Sequence, residues 1–183
     1  MSVDRIDHQR LIERCLAAFV AAGSLELSID RLAAAVKVSK RMLIHYFGNR
    51  EALELAALTL LEERLRAQFA SGSLPRSLSP RQVIQRLWDQ TTAPESHGSL
   101  LLIMDIARRA SKGSERARQF YAAQLQLWRN LLSAYLPSRA AVDTVLQSFQ
   151  GAVFEYLVTG DRDAARSALL RATARETSGR SRS

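Results

Sequence analysis

The sequence predicts an all-α protein: an N-terminal three-helix unit containing a helix-turn-helix, followed by a larger C-terminal helical domain. Three observations lead there. Gly and Pro are scarce, 8 and 4 among 183 residues, while the helix formers Ala, Leu and Arg abound. Apolar residues, 47% of the chain, recur at spacings of three and four. Ser, Asn, Asp and Pro stand where helices would start, and Gly where they would stop.

A first helix is expected from about Arg5 to Ala22, with the stripe Leu11, Ile12, Cys15, Leu16, Phe19 and Val20, ending at Gly23. Ser28 is placed to cap a short helix whose apolar side is Ile29, Leu32, Ala33 and Val36. Lys37-Val38 makes the turn, Val38 being its buried plug. Ser39 caps a second short helix. In that helix Leu43 and Phe47 point to the core, and Lys40, Arg41, Ile44 and His45 face away. Gly48 stops it, and Asn49 caps a fourth helix from Arg50 to about Ala70, lined by Leu53, Ala56, Ala57, Leu60, Leu61 and Leu65.

Ser71 to Pro75 is the clearest break. Beyond it, Ser79-Pro80 opens a helix to about Thr92 as N-cap and first-turn proline. Ala93-Pro94 starts a segment ending at Ser111, Ser114 caps a long helix to about Leu136, and Pro137-Ser138 starts one to about Thr159. Gly160-Asp161 ends that helix and caps a last one to about Ala174. The linear division is therefore 1–50 for the helix-turn-helix domain and 51–74 for the linking helix and break. Residues 75–174 make a helical regulatory domain, and 175–183 a Ser/Arg/Gly-rich disordered tail.

Two short helices joined by a tight turn, the second presenting basic residues at its start, fit a DNA major groove. Between Arg31 and Arg50 there are five Lys or Arg and no acid. The net charge of +8 is weaker support, because it is spread: eight basic against five acidic residues in 1–50, thirteen against eight in 75–174. Arg41 and Lys40 are the candidates for base edges, with Met42 or Ile44 against a thymine methyl. Ser28, His45, Tyr46 and Arg50 are the candidates for phosphates.

The run Val38 to Phe47, VSKRMLIHYF, followed by Asn49-Arg50-Glu51-Ala52-Leu53, resembles the recognition-helix signature of TetR-type (TetR/AcrR-like) transcriptional regulators. The resemblance covers about Leu11 to Leu55. It departs from the family at Lys37, where Gly is usual, at Arg41-Met42, where Gly-Thr is usual, and at Ile44, where an aromatic is usual. The family resemblance implies a cytoplasmic homodimer that binds a double-stranded DNA operator and answers to a small-molecule effector, most simply as a repressor that the effector releases. It also implies a ligand cavity in the C-terminal domain. Trp88, Met104, Asp105, Phe120, Tyr121, Trp128 and Phe154 are the candidate lining, suited to a largely apolar ligand, with Asp105 or His97 as a polar contact. An ion pair of Asp105 with Arg108 and Arg109 at i+3 and i+4 is the alternative account of that acid. Phe149, Ala152, Val153, Tyr156 and Leu157 form an apolar face around Gly151, with Leu169 and Leu170 on the last helix. Two such antiparallel helices from each of two chains would make a four-helix dimer interface.

Other classes are disfavoured. The single Cys15 excludes an intrachain disulfide and reads as a small buried hydrophobe. His8, His45 and His97 lack partners at metal-ligand spacing, and no phosphate loop or nucleophile motif occurs, so neither an enzyme nor a cofactor or metal is expected. The charged N-terminus is unlike a secretory signal, and no apolar run has membrane-spanning length. Two rival functions remain: a small-molecule-binding module that does not read DNA, and a nonspecific DNA binder.

Overall fold

The computed structural model describes residues 8–70 and 74–177. The elements are α1 (His8–Ala22), α2 (Ile29–Ala35), α3 (Lys40–Phe47), α4 (Arg50–Gln68), α5 (Pro80–Thr91), a single 3₁₀ turn (Pro94–Ser96), α6 (His97–Ser111), α7 (Glu115–Leu132), α8 (Arg139–Thr159), α9 (Arg162–Ala172) and α10 (Ala174–Thr177). Among the described residues there is no strand, as the sequence predicts. The expected Arg5 to Asp7 start of the first helix lies outside the described residues.

The chain divides into two compact units, and the division is not linear. The first takes the residues up to 67 together with 98–121. The second takes 68–97 with 122 onward. Residues 98–121, assigned by the sequence to the C-terminal domain, thus fold with the helix-turn-helix. The cause is packing. Leu102 and Ile106 of α6 and Ala117 and Phe120 of α7 share one core with Leu11, Cys15, Leu16 and Phe19 of α1 and with Leu53, Ala57 and Leu61 of α4. The join is close. A Cβ on Gly98 would lie 2.4 Å from the Val20 carbonyl oxygen, and one on Gly23 2.8 Å from Leu101 Cβ. Gly23 also needs its positive φ of 61° to end α1.

In the second unit α8 and α9 form a helical hairpin. Gly160 leaves α8 in the left-handed conformation, and the Asp161 side chain accepts the Ala164 N–H to start α9. α5 packs on α9, where Arg162 donates to Thr92 Oγ1 and Asp89 Oδ1, each at 2.8 Å. Ser79 and Gln82 form a reciprocal capping box on α5, with Pro80 at its first position. α7 is shorter than predicted. After Leu132 the chain tightens into i→i+3 bonds, while the buried Tyr135 hydroxyl donates to the Leu74 carbonyl at 2.6 Å. Within the segment expected as a tail, Ala174–Thr177 forms one more helical turn; 178–183 lie outside the described residues.

Candidate nucleic-acid interface

The reading element is assembled by local chemistry. Ser28 Oγ accepts the Arg31 N–H at 3.2 Å and Ser39 Oγ accepts the Met42 N–H at 3.1 Å, so both short helices are capped as their sequence dictates. Between them Lys37 sits at φ 53°, and its N–H and that of Val38 close back on the carbonyls of Ala34 and Ala33. A non-glycine residue there is strained by about 1 kcal/mol. Val38 is half-buried against the core, less than the full plug expected. The Arg14 guanidinium donates to the Val36 carbonyl and holds the end of α2 to α1.

Leu43, fully buried, fixes the rotation of α3. Lys40, Arg41, Ile44 and His45 are consequently exposed on one face, as predicted. Ile44 is one of the few large apolar side chains left open, at 39%. Met42, predicted on the reading face, is half-buried, because it lies one residue from Leu43. Tyr46 and Phe47 are half-buried beneath the His8 ring, with ring centroids 6.0 and 5.1 Å away.

Two candidate DNA ligands have partners the sequence did not reveal. The Lys40 ammonium lies 3.1 Å from Asp30 Oδ2, a carboxylate just outside the acid-free stretch. Arg50, predicted at phosphate, donates to the Leu25 and Leu27 carbonyls and pairs with Glu54 at 2.8 Å. It is a tether between the start of α4 and the loop before α2, and so a positioning residue for the reader.

Asp105, read in the sequence as a ligand contact or as the partner of Arg108 and Arg109, makes those ion pairs and is the hub of a second tether. Its Oδ2 accepts the Leu25 N–H at 3.0 Å, the Ser24 hydroxyl at 3.1 Å and Arg109 Nε at 3.2 Å. Its Oδ1 accepts two bonds from Arg108, at 2.7 and 3.2 Å. Arg108 and Arg109 go on to Glu26 and Glu54. Burial pushes this carboxyl's pKa up, but the bonds from Arg108, Leu25 and Ser24 and the charge of Arg109 outweigh it, so it lies below the usual carboxylate range. The same carboxylates raise the pKa of the exposed Arg108. Only the two arginines at i+3 and i+4 were visible in the sequence; Ser24 and Leu25 are some 80 residues away. Burial raises the Cys15 thiol to about 11, more than the neighbouring Arg14 lowers it, as befits an inert core residue.

The other candidate pocket residues divide between the units. Met104, Phe120 and Tyr121 lie in the first, Phe120 buried in its core. Trp88, Trp128 and Phe154 lie in the second. There Phe69, Trp128, Phe149, Trp88, Tyr156 and His97 form a continuous series of ring contacts, with centroid separations from 4.7 to 6.4 Å. Among the described residues the fully buried Trp88 indole N–H has no hydrogen-bond acceptor. Phe154 is not in this series; it is 60% exposed.

The candidate dimer-face residues of α8 lie on two of its sides. Phe149, Ala152, Val153 and Leu169 are buried within one chain, and Tyr156 is half-buried. The opposite side of α8 carries the exposed residues Gly151, Phe154 and Val158, spaced three and four apart. α8 is apolar on two sides, and periodicity alone did not distinguish the side that the chain covers itself.

A capped helix-turn-helix with an exposed basic second helix, carried on an all-α body, defines a DNA-binding transcription regulator. Residues 11–57 match the model of the bacterial regulatory proteins of the tetR family. The match falls on the segment that carries the signature from Val38, so the N-terminal domain is similar to that family's. The fold of the whole is similar to that of solved regulators. A transcriptional regulator from Rhodococcus sp. Rha1 superposes with TM-score 0.77 at 18% identity, covering 92% of this chain and 96% of that one. A TetR transcription regulator from Haloarcula marismortui ATCC 43049 gives 0.73 at 15%, covering 93% and 96%. A tetR-family transcriptional regulator from Streptomyces coelicolor gives 0.69 at 20%, covering 95% and 81%. No curated protein sequence matches the chain.

Proposed function

We propose that the protein is a homodimeric repressor that reads an operator with α3 and leaves it when a small molecule binds. The observation that carries the DNA reading is the exposed face of Lys40, Arg41, Ile44 and His45 on a doubly capped helix-turn-helix. A bidentate Arg41–guanine contact contributes about 1–3 kcal/mol of discrimination, and Ile44 suits a thymine methyl. Ser28, His45 and Tyr46 are the phosphate-side groups. Reading DNA places its work in the cytoplasm.

The exposed stripe Gly151, Phe154 and Val158 supports the dimer. Phe154 and Val158 are 60% and 69% exposed, and a Cβ on Gly151 meets nothing within 4 Å, which leaves room for a second α8 to approach. The ring series of the second unit supports an effector that is flat and largely apolar, with one acceptor for the Trp88 N–H. Effector and operator then oppose each other by binding different conformations, with reciprocal coupling.

The deciding experiment is selection of duplexes from a random pool by the full chain at moderate salt. Enrichment of a two-fold symmetric sequence is expected. Retention of every duplex alike would establish the nonspecific binder, and retention of none the ligand module. An effector that quenches the fluorescence of Trp88 and Trp128 should weaken operator binding by the factor by which operator weakens its own.

A further inference from the structure

From Ser28 to Arg50 the chain carries one carboxylate, Asp30, and it lies 3.1 Å from the Lys40 ammonium. The two side chains stand in the first turns of α2 and α3, on the surface that faces DNA in the reading proposed above. They are 69% and 55% exposed, so the pair contributes little to folding. A carboxylate there also repels every duplex. Its position therefore calls for an account in terms of which duplex is bound.

Lysine supplies one. Its ammonium is a compact charge on a flexible stem, with three donors. At the edge of a groove the nearest strong partner is phosphate, which is the same on every sequence. Asp30 engages one donor of Lys40 and leaves the others for acceptors on base edges. The paired ammonium is also nearly neutral toward the distant backbone.

We infer that Asp30 is a specificity-determining residue, which holds Lys40 in reading position at the start of α3 and keeps it off the phosphate backbone. The inference rests on the proposed reading of DNA by α3, and its test separates the two. Wild type, Asp30→Asn, Lys40→Ala and the double variant, all as full-length chains, are titrated by anisotropy with two duplexes. One is the duplex enriched by selection, and the other is a scramble of the same composition. The titration is repeated across a salt series.

Asp30→Asn is expected to bind the scramble about three- to ten-fold more tightly, with a salt slope steeper by about 0.9, the value of one new phosphate contact. The enriched duplex should gain less, so that the specificity ratio falls. In the Lys40→Ala background the same substitution should leave the ratio unchanged. The inference is overturned if Asp30→Asn strengthens both duplexes equally with or without Lys40, because Asp30 then acts only as a repelling charge. It is overturned equally if neither duplex responds. Failure of the wild-type chain to enrich any sequence would refute the reading of DNA itself, and the inference with it.

Discussion

Replacing Asp105 by Ala should destabilise the first unit far more than a surface charge deletion would. The carboxylate side chain is 9% exposed and accepts five hydrogen bonds. Its loss strands the Leu25 N–H and the Ser24 hydroxyl, and an unsatisfied buried donor costs about 1–3 kcal/mol. Arg109 keeps only the longer contact to Glu54, at 3.4 Å. Arg108 is at the surface and adds nothing to the estimate. The total is about 2–4 kcal/mol, and for a chain of this size each kcal/mol lowers Tm by about 2–4 °C. Thermal unfolding followed by circular dichroism should therefore show Tm lower by about 4–16 °C. Asp105→Asn should lose less, because its amide oxygen still accepts from Leu25. The two differ from wild type in pH dependence as well. The folded-state pKa of Asp105 lies below its unfolded value. Its contribution is thus complete above about pH 4 and is lost as pH falls through the folded pKa. Wild type should lose stability on acidification below about pH 4 faster than Asp105→Asn does. A drop in Tm within 2 °C for Asp105→Ala, or parallel acid curves for wild type and Asp105→Asn, would show that the hub carries no such weight.

Arg41→Ala should relax preference at one or two positions of each half-site, costing about 1–3 kcal/mol on the enriched duplex and little on a scramble; equal weakening of both would make Arg41 a phosphate ligand. Arg50→Ala should cost about 1–3 kcal/mol of stability through the Leu25 and Leu27 carbonyls and leave the salt slope of DNA binding unchanged; a slope shallower by about one unit would return it to the phosphate contacts. Phe154→Glu should give a folded monomer by light scattering, whereas Ala152→Glu, at a buried position, should unfold the second unit. A monomeric wild type at micromolar concentration would remove the proposed dimer.

What the sequence disclosed is what local chemistry decides. Ser28, Ser39, Asn49, Ser79 and Asp161 cap the helices they were expected to cap, because a cap needs only a side chain and a backbone N–H three residues on. The outward face of α3 followed from Leu43 and the helical period. The left-handed turn at Lys37 followed from a signature in which Gly is usual. Contacts across long separations stayed hidden. Nothing near Asp105 in sequence announces Ser24 and Leu25, and nothing near Lys40 announces Asp30 ten residues earlier. α8 was ambiguous for another reason. Both its faces are apolar toward the C-terminal end, so a period of 3.6 fits Phe149, Ala152 and Val153 inward as well as Gly151, Phe154 and Val158 inward. The tertiary partner α9 decides between them.

The meeting of Gly98 with Val20 has a mechanical consequence. At that point the backbones of α6 and α1 touch with no side chain between them, so α6 cannot move closer. Seven residues further along, about 10 Å at 1.5 Å per residue, Asp105 fastens the same helix to the loop that leads into α2. A rod resting on a stop at one place and bolted at another keeps neither its slide nor its spin. α6 and the reading helices therefore share one set of rigid-body coordinates, and any tilt imposed on the rod is a tilt of the reader.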